Sequence, residues 1–272
     1  MPDSLPKQTP LFLVADAYKG LLLALSGGDV ISLLTVVEGK PLYFANAIAR
    51  AQNGIIYLSD SSIRFRRNKV LLEVLESRQT GRVIAWDPDT GVSRVVIDQL
   101  PFPNGSVLQK NDQHLLISLT TRQQIVKLDL TDASAHPQLF VALPGPPDNL
   151  HISYIEEWGQ PVLWVGLSTK SSIITQWMNG SSNLRKVIAL LPPHKLLNFF
   201  KQYGIFVGLD VETGKILHSY QDPEGSTPFI ACTHFDEKHG YIGSWKNHFI
   251  AKILREKLFL VNLRGIVNMH LT

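Results

Sequence analysis

Three short polar motifs recur along the chain, each beside an apolar run: FANAI (44–48), FPNGS (102–106) and PPDNL (146–150). Asn104 and Asp148 are 44 residues apart, and Asn46 precedes Asn104 by 58 residues. Amide oxygens together with a carboxylate are hard ligands, which suit Ca²⁺ better than Zn²⁺. The same Asn-Gly and Asp-Asn pairs are also ordinary turn residues. Two interpretations therefore stand: structural turns, or a metal site formed by Asn46, Asn104 and Asp148 with Asn149 as a further ligand.

A metal site of this kind requires a fold that repeats, and the sequence does repeat. The stretch GRVIAWDPDTGVSRVV from Gly81 returns as GIFVGLDVETGKILHS from Gly204, with a weaker copy, QQIVKLDLTDASAHPQL, between them. Their aspartates, Asp87, Asp129 and Asp210, are separated by 42 and 81 residues, near one and two multiples of about forty. Strand–turn–strand units of this length predict an all-β fold, a β-propeller with about five recognisable four-stranded blades. Equivalent residues of successive blades are expected to face one axial channel.

Two longer intervals between the repeats predict helical insertions, near 61–80 and 185–203. The first contains an amphipathic stripe whose apolar members are Val70, Leu71, Val74 and Leu75. Its polar side is predicted to carry Glu73, Glu76 and Arg78. The basic residues before it are interpreted either as a solvated loop or as an anion-steering cluster: Arg64, Arg66, Arg67 and Lys69. The apolar 185–203 segment is interpreted as a substrate lid, a peripheral membrane contact or a helix packed on the propeller face.

Composition limits the classes of function. The chain has 272 residues, of which 44% are hydrophobic and 18% charged, which suits one propeller domain over residues 1–272. A net charge of +3 and the lack of an aromatic-plus-basic module argue against nucleic acid as a partner. No apolar run is long enough for a transmembrane helix, and the N-terminus lacks a signal-peptide pattern. The compartment and the oligomeric state stay open.

Two other side chains have roles assigned from sequence. His151 follows the third motif directly and is interpreted as a substrate-binding or acid–base group in the channel, against an ordinary hydrogen-bonded histidine. The nine histidines show no zinc-ligand spacing, so zinc catalysis is not supported. The one cysteine, Cys232, excludes an intrachain disulfide framework and is expected to be a buried, inert thiol.

The chain resembles the strictosidine synthase-like branch of the six-bladed propeller hydrolases, a group that also holds gluconolactonases, paraoxonases and adipocyte plasma membrane-associated protein. The resemblance covers nearly the whole chain, in order, through LFLVADAYKGLL, PLYFANAI, VLWVGLS and YIGSW. Its most specific parts are the SDSS…RR…LLEVLE…TGR block within 59–82 and the FPNG and PGPPDN pair.

The resemblance implies a Ca²⁺-type ion in the central channel. Asn104 and Asp148 match the family's ligands, and Asn149 follows as a further candidate. Asn46 matches an asparagine of an Asn-Asp pair, while Asp60 stands where relatives offer another channel-lining polar group. The implied activity is hydrolysis of a small ester or lactone, of the arylesterase or lactonase type. The ion would polarise the carbonyl, and Asp148 would help to activate water.

Departures from the family pattern leave alternatives open. The family's first blade brings a glutamate ligand, but this chain has no glutamate before Glu38, so weakened Ca²⁺ affinity is predicted. Thr233 stands where alkaloid-forming synthases have a glutamate, which argues against a strictosidine-type synthase. The competing hypothesis is a catalytically impaired propeller that serves as a binding or membrane-associated scaffold. Residues 253–272 are predicted to be a divergent tail that covers an exposed sheet edge.

Overall fold

The computed structural model describes residues 9–156, 159–171, 180–192, 195, 202–255 and 267–268. These residues are mostly strands, which form five blades in a β-propeller arrangement together with two short α-helices. The all-β propeller with about five recognisable blades is therefore confirmed.

Each blade is an antiparallel meander that begins with its innermost strand. Blade 1 contains β1 (Pro10–Asp16), β2 (Gly20–Leu25) and β3 (Val30–Leu34), followed by the hairpin β4 (Val36–Val37) and β5 (Lys40–Pro41). Blade 2 contains β6 (Ala45–Arg50), β7 (Ile56–Asp60), β8 (Gly81–Trp86) and β9 (Ser93–Leu100). Blade 3 contains β10 (Pro103–Gln109), β11 (His114–Leu119), β12 (Gln124–Asp129) and β13 (Gln138–Ala142).

The last two blades follow the same order. Blade 4 contains β14 (Pro147–Ile155), β15 (Gln160–Leu167), β16 (Gly204–Asp210) and β17 (Ile216–Asp222). Blade 5 contains β18 (Ile230–Phe235), β19 (His239–Ser244) and β20 (Ala251–Leu254). Short β21 (Val267–Asn268) pairs in parallel with β17. The inner strands β1, β6, β10, β14 and β18 lie side by side in chain order, so they surround the channel.

The repeated aspartates build the hairpin turns between the two outer strands of a blade. The Oδ1 atom of Asp210 accepts hydrogen bonds from the backbone N–H groups of Glu212 (3.1 Å) and Thr213 (2.7 Å). Gly214 then adopts a φ of +72°, which costs a glycine little. Asp87 forms the first repeat's turn in the same way. This local chemistry explains why the aspartate spacing follows the blade spacing.

Aromatic side chains fill the interface between blades 4 and 5. Trp164 on β15 is fully buried and packs against Phe235 on β18 with ring centroids 4.3 Å apart. Phe206 and Tyr220 extend the same cluster outward, with centroids 4.8 Å apart. Pairs at these separations add to the hydrophobic stabilisation. The packing holds β18 against β15, so blades 4 and 5 are in firm contact where two histidines described below meet.

The sequence predicts that residues 253–272 cover an exposed sheet edge of the propeller. β20 belongs to blade 5, so residues 253 and 254 are part of a blade, while residues 256–266 and 269–272 lie outside the described residues. Val267 pairs with Tyr220 at the outer edge of blade 4. Strands β1 and β18 belong to separate sheets, and Phe12 on β1 is 66% exposed. An edge-covering role for the tail stays a prediction.

Both predicted insertions contain a helix. The first is α1 (Val70–Glu76), which follows a 3₁₀ turn at Arg67–Lys69. The second is α2 (Ser182–Ile188), which packs on α1 through Ile188 and Leu75. The rest of the predicted 185–203 insertion falls largely outside the described residues. Within the part of the chain that the structure describes, no helix is both long and apolar enough to span a bilayer.

One prediction about α1 is wrong. Glu73 was assigned to the polar side of the helix, but it is fully buried. Its carboxylate accepts hydrogen bonds from Ser62 Oγ (2.6 Å) and Thr80 Oγ1 (2.7 Å). Burial raises the pKa of Glu73 despite these two bonds. The glutamate therefore ties α1 to the loop that carries it, so an interior polar contact replaces the expected solvation.

Candidate metal centre in the axial channel

A β-bulge recurs at the same point of the inner strands. The pairing register of β6, β10 and β14 shifts between Ala45 and Ile48, between Pro103 and Ser106, and between Pro147 and Leu150. The residues inside these shifts are Asn46 and Ala47, Asn104 and Gly105, and Asp148 and Asn149. The pairing registers of β1 and β18 also shift near the start of the strand, and Leu11 and Ala231 lie inside those two shifts. Since a bulge re-aims the side chain that it carries, the three motifs are structurally equivalent.

Hydroxyl groups on the second strand of one blade hold the bulge of the next blade. Ser59 Oγ donates to the carbonyl oxygen of Asn104 (2.8 Å), and Ser118 Oγ donates to that of Asp148 (2.7 Å). Ser61 and Thr120 make the corresponding bonds one position earlier, to the carbonyl oxygens of Pro103 and Pro147 (2.7 and 2.8 Å). The backbone of each donor residue is thus fixed from the preceding blade.

Gly105 allows the inner strands of blades 3 and 4 to meet backbone to backbone. A Cβ atom placed on it would lie 2.6 Å from Asn149 Cα and 2.6 Å from the Asp148 carbonyl oxygen. Only a residue without a side chain permits that approach. The Gly of FPNG therefore has a packing role, while its neighbour Asn104 supplies the polar group.

The amide groups of two asparagines are oriented by neighbouring hydroxyls. Asn46 Nδ2 donates to Ser61 Oγ (2.9 Å), and Asn104 Nδ2 donates to Thr120 Oγ1 (3.3 Å). In both residues the nitrogen is engaged, which leaves the amide oxygen as the available ligand atom. Asn104 is 5% exposed, and its Oδ1 atom is buried with no hydrogen-bond partner among the described residues. A buried acceptor without a donor is costly and calls for an explanation.

Asp148 lies beside Asn104 and is 9% exposed. Burial raises the pKa of its carboxyl from 3.8 to about 7, against the opposing effects of the Asn104 hydrogen bond and the positive charge of Arg67. Without a cation, the carboxyl is thus about half protonated at neutral pH. Arg67 belongs to the predicted basic cluster, and its positive charge acts on Asp148. Both interpretations of the cluster, a solvated loop and an anion-steering group, stay predictions.

A cavity of about 340 Å³ lies against these bulges. Its lining includes Asn46, Gly105 and Asn149 together with residues 13–15 of β1, whereas the buried Asn104 and Asp148 lie next to the lining residues and not among them. Since its walls come from the inner strands of four blades, this cavity is the described part of the axial channel. Its volume is within the range usual for small-molecule sites.

Comparison with known proteins agrees with this architecture. The family model described as strictosidine synthase matches residues 46–132. The strictosidine synthase-like 13 protein of Arabidopsis thaliana is 36% identical over 225 residues, which cover 80% of this chain and 54% of that protein. The human adipocyte plasma membrane-associated protein is 30% identical over 253 residues, which cover 88% of this chain and 59% of that protein.

The chain is a β-propeller that is similar to the strictosidine synthase-like proteins. It spans between 54% and 64% of the length of the first relatives, which include the Arabidopsis strictosidine synthase-like 10 protein at 34% identity. Two solved structures share the fold at low identity. A Xanthomonas campestris gluconolactonase matches 85% of this chain and 65% of its own, with a TM-score of 0.57 and 16% identity. The calcium-binding protein regucalcin of Agrobacterium tumefaciens matches 93% and 68%, with a TM-score of 0.55 and 14% identity.

The donors on the bulges fit the cation that this family resemblance implies. Asn46, Asn104, Asp148 and Asn149 offer hard oxygens from three blades, with a single negative charge. The unpartnered Oδ1 atom of Asn104 is the specific observation, because a cation would supply its missing partner. No group of three or more His, Cys, Asp or Glu side chains suited to a metal occurs among the described residues. The donor set therefore depends on asparagine, which favours Ca²⁺ over softer metals.

Asp60, the further polar group that the resemblance offered, has both carboxylate oxygens engaged by other partners. Its Oδ1 atom accepts from the backbone N–H of Phe44 (2.8 Å), and its Oδ2 atom accepts from Arg82 Nε (3.0 Å). Both residues of this ion pair are buried. Arg82 also donates to the carbonyl oxygens of Lys40 (3.2 Å) and Pro41 (2.9 Å). The pair connects blade 2 to the β4–β5 hairpin.

His151 has an unexpected partner in blade 5. Its Nε2 atom lies 3.0 Å from His234 Nδ1. Burial and then His234 lower the pKa of His151. Nothing in the sequence singles out His234, because the two residues are 83 positions apart and only blade packing joins them.

Two further predictions concern residues on β18. Cys232 is exposed, so the expectation of a buried thiol is wrong. Thr233, which stands where alkaloid-forming synthases have a glutamate, is buried.

Proposed function

We propose that the axial channel binds a calcium-type cation and hydrolyses a small ester or lactone. The observation that carries the proposal is the buried, unpartnered Asn104 Oδ1 beside a buried carboxyl, Asp148. Of the two solved propellers of similar fold, one is described as a gluconolactonase and the other, regucalcin, as a calcium-binding protein. Their likeness supports the fold, and the donor atoms of this chain support the chemistry.

Asn46, Asn104, Asp148 and Asn149 would hold the cation through their side-chain oxygens. When bound, a divalent cation polarises a carbonyl group and stabilises the negative charge that develops on its oxygen. Ser61 and Thr120 contribute by fixing the two amide groups with their oxygens available. Such supporting contacts are part of a metal site because they orient its ligands.

Asp148 is the proposed general base. Its carboxylate takes a proton from water as the water oxygen adds to the carbonyl carbon of the substrate. The C–O bond to the leaving group then breaks, and the proton passes to the departing oxygen. Burial raises the pKa of this carboxyl to about 7, and a bound cation would lower it again, so that the group is ionised and able to accept the proton at neutral pH. The positive charge of Arg67 would attract anionic substrates.

The direct test is hydrolysis of phenyl acetate and simple lactones by the purified chain with Ca²⁺ and after chelation. We expect activity that requires Ca²⁺ and that Asp148→Ala lowers at least about 100-fold in kcat/KM, because a general base contributes that much or more. Asp98→Ala is a matched control, since Asp98 is an exposed carboxylate on β9 outside the centre. Hydrolysis that persists in chelator, or that survives Asp148→Ala, would contradict the mechanism.

We also propose a second candidate, a scaffold that docks peripherally on anionic membranes. The supporting observation is the segment that begins at α2, where Val187 and Leu190 are 64% and 84% exposed beside Arg185 and Lys186. Apolar side chains next to basic ones suit the interface of a negatively charged bilayer. A relative carries plasma membrane association in its name, and a peripheral membrane contact is one of the three interpretations of the 185–203 segment, beside a substrate lid and a helix packed on the propeller face.

Vesicle sedimentation separates the two candidates. We expect the chain to sediment with phosphatidylserine-containing vesicles and much less with neutral ones, since basic residues near a surface contribute about 1 kcal/mol each. Leu190→Asp should reduce this binding, whereas Val92→Asp, at an exposed apolar residue on a distant turn, should not. Equal binding by both variants would exclude α2 as the contact. Hydrolysis without vesicle binding would support only the enzyme.

A further inference from the structure

Two imidazole rings meet on the inner strands of blades 4 and 5. His151 on β14 is paired across its sheet with Trp164, and His234 on β18 with Tyr241. The His151 Nε2 and His234 Nδ1 atoms are 3.0 Å apart, and the ring centroids are 4.5 Å apart at an interplanar angle of 55°. Neither the oxygen donors of the bulges nor the hydrolytic steps described above use this pair.

We propose that His151 and His234 form a two-nitrogen chelate for a late first-row transition ion such as Zn²⁺ or Ni²⁺, with solvent completing the coordination shell. Imidazole nitrogen suits these ions, whereas Ca²⁺ prefers oxygen. Two nitrogens bound to one tetrahedral Zn²⁺ at the usual bond length lie about 3.3 Å apart. The observed separation of 3.0 Å needs only a small side-chain adjustment to reach that value.

The proton balance also permits chelation. In the hydrogen-bonded pair, one of the two facing nitrogens carries a proton and the other accepts it. A neutral imidazole can hold its proton on either nitrogen. The donor ring therefore presents a free lone pair to the ion when its proton moves to the other ring nitrogen. The ion replaces one hydrogen bond with two coordinate bonds, and neither histidine needs to lose charge.

The fold positions the pair rigidly and leaves it accessible. Both residues lie within strands, which hold a ligand more precisely than loops do. Trp164 on β15 is paired with His151 and packs against Phe235 on β18, so this contact holds the two blades together next to the pair. His151 is half-buried and His234 is exposed, so an ion and its water ligands can reach the pair from solvent.

Titration of the full, chelator-treated chain with Zn²⁺ by calorimetry tests the proposal, with excess Ca²⁺ present to fill oxygen sites. We expect one Zn²⁺ per chain at this pair, with binding weakened at least about tenfold in His151→Asn and in His234→Asn, because each loses one of two protein ligands. His248→Asn is the matched control, since His248 is exposed and lies away from the pair. Zinc binding that both variants retain at wild-type strength would overturn the proposal.

A spectroscopic readout covers the case in which a variant folds poorly. Bound Co²⁺ absorbs visible light with an intensity that reports its ligands, and we expect that band to disappear in His234→Asn and to persist in His248→Asn. Asp148→Asn should keep the Co²⁺ band, because the carboxyl belongs to the oxygen centre and not to the histidine pair. A Co²⁺ spectrum unchanged by His151→Asn and His234→Asn together would again exclude the site. These readouts do not depend on hydrolytic activity, so the proposed function can fail independently.

Discussion

Asp148→Asn is expected to make the metal-free protein more stable at pH 8 than the wild type, while it removes the response to Ca²⁺. The wild-type carboxyl is buried, and its pKa is raised from 3.8 to about 7. The folded state therefore holds this proton at pH values where the unfolded chain has released it. The free energy of unfolding falls as the pH rises from about 4 to about 7, and it stays low above pH 7. An amide cannot ionise, so it avoids that loss.

The expected size of the effect is at most about 4 kcal/mol, which is the free energy that corresponds to this pKa difference. Urea unfolding in the presence of a chelator at pH 5 and pH 8 measures about 3 kcal/mol of it, because the carboxyl of the unfolded chain is already mostly ionised at pH 5. The wild type should lose stability between the two values, and Asp148→Asn should lose much less. Parallel pH profiles for the two proteins would show that Asp148 ionises freely in the folded state.

Calcium supplies the second half of this test. A cation beside Asp148 favours the ionised carboxylate, so Ca²⁺ should raise the stability of the wild type at pH 8 and leave Asp148→Asn nearly unchanged. Asp98→Asn serves as the control, because that exposed carboxylate should alter neither the pH profile nor the calcium response. Opposite effects of one substitution on stability and on activity are typical of residues kept for function.

Arg82→Met is expected to be among the most destabilising single substitutions in the chain. It leaves Asp60 as a buried carboxylate without its partner, and it removes the donors to the carbonyl oxygens of Lys40 and Pro41. Breaking one side of a buried ion pair costs about 3–5 kcal/mol. For a chain of this size we expect a melting temperature lower by roughly 10 °C.

Thermal and urea unfolding of three proteins check this expectation. Arg50→Met, at an exposed arginine on β6, is the control and should change stability little. The double variant Asp60→Leu with Arg82→Met should be more stable than Arg82→Met alone, because it no longer buries an unpaired charge. A single variant as stable as the wild type would mean that Asp60 is solvated or protonated without cost.

Features that depend on local chemistry could be predicted from the sequence alone. The Asp87 and Asp210 turns recur because an aspartate and a glycine build the hairpin within a few residues. Their spacing predicted the blades, and the phase of the three polar motifs predicted equivalent positions. The structure places those motifs in matching bulges, where Asn104 and Asp148 are in contact.

Features that depend on contacts between distant segments could not be predicted. Asp60 has the same local pattern whether it lines a channel or pairs with Arg82, 22 residues later. Glu73 follows a normal amphipathic pattern, and only the nearby hydroxyls of Ser62 and Thr80 make its burial tolerable. His234 required knowledge of how blades 4 and 5 pack. In each case the deciding partner lies outside the local pattern.

The bulges have a consequence for how this propeller can change over evolution. Their extra residues are held by backbone pairing and by hydroxyls of the preceding blade, so the identity of the bulged side chain is free to vary. Leu11 and Ala231 occupy the matching positions in the two terminal blades. A single substitution at either position would therefore change the side chain that an inner strand carries at its bulge, without an insertion or deletion. The polar groups of the inner strands can thus be altered one residue at a time while the blades stay unchanged.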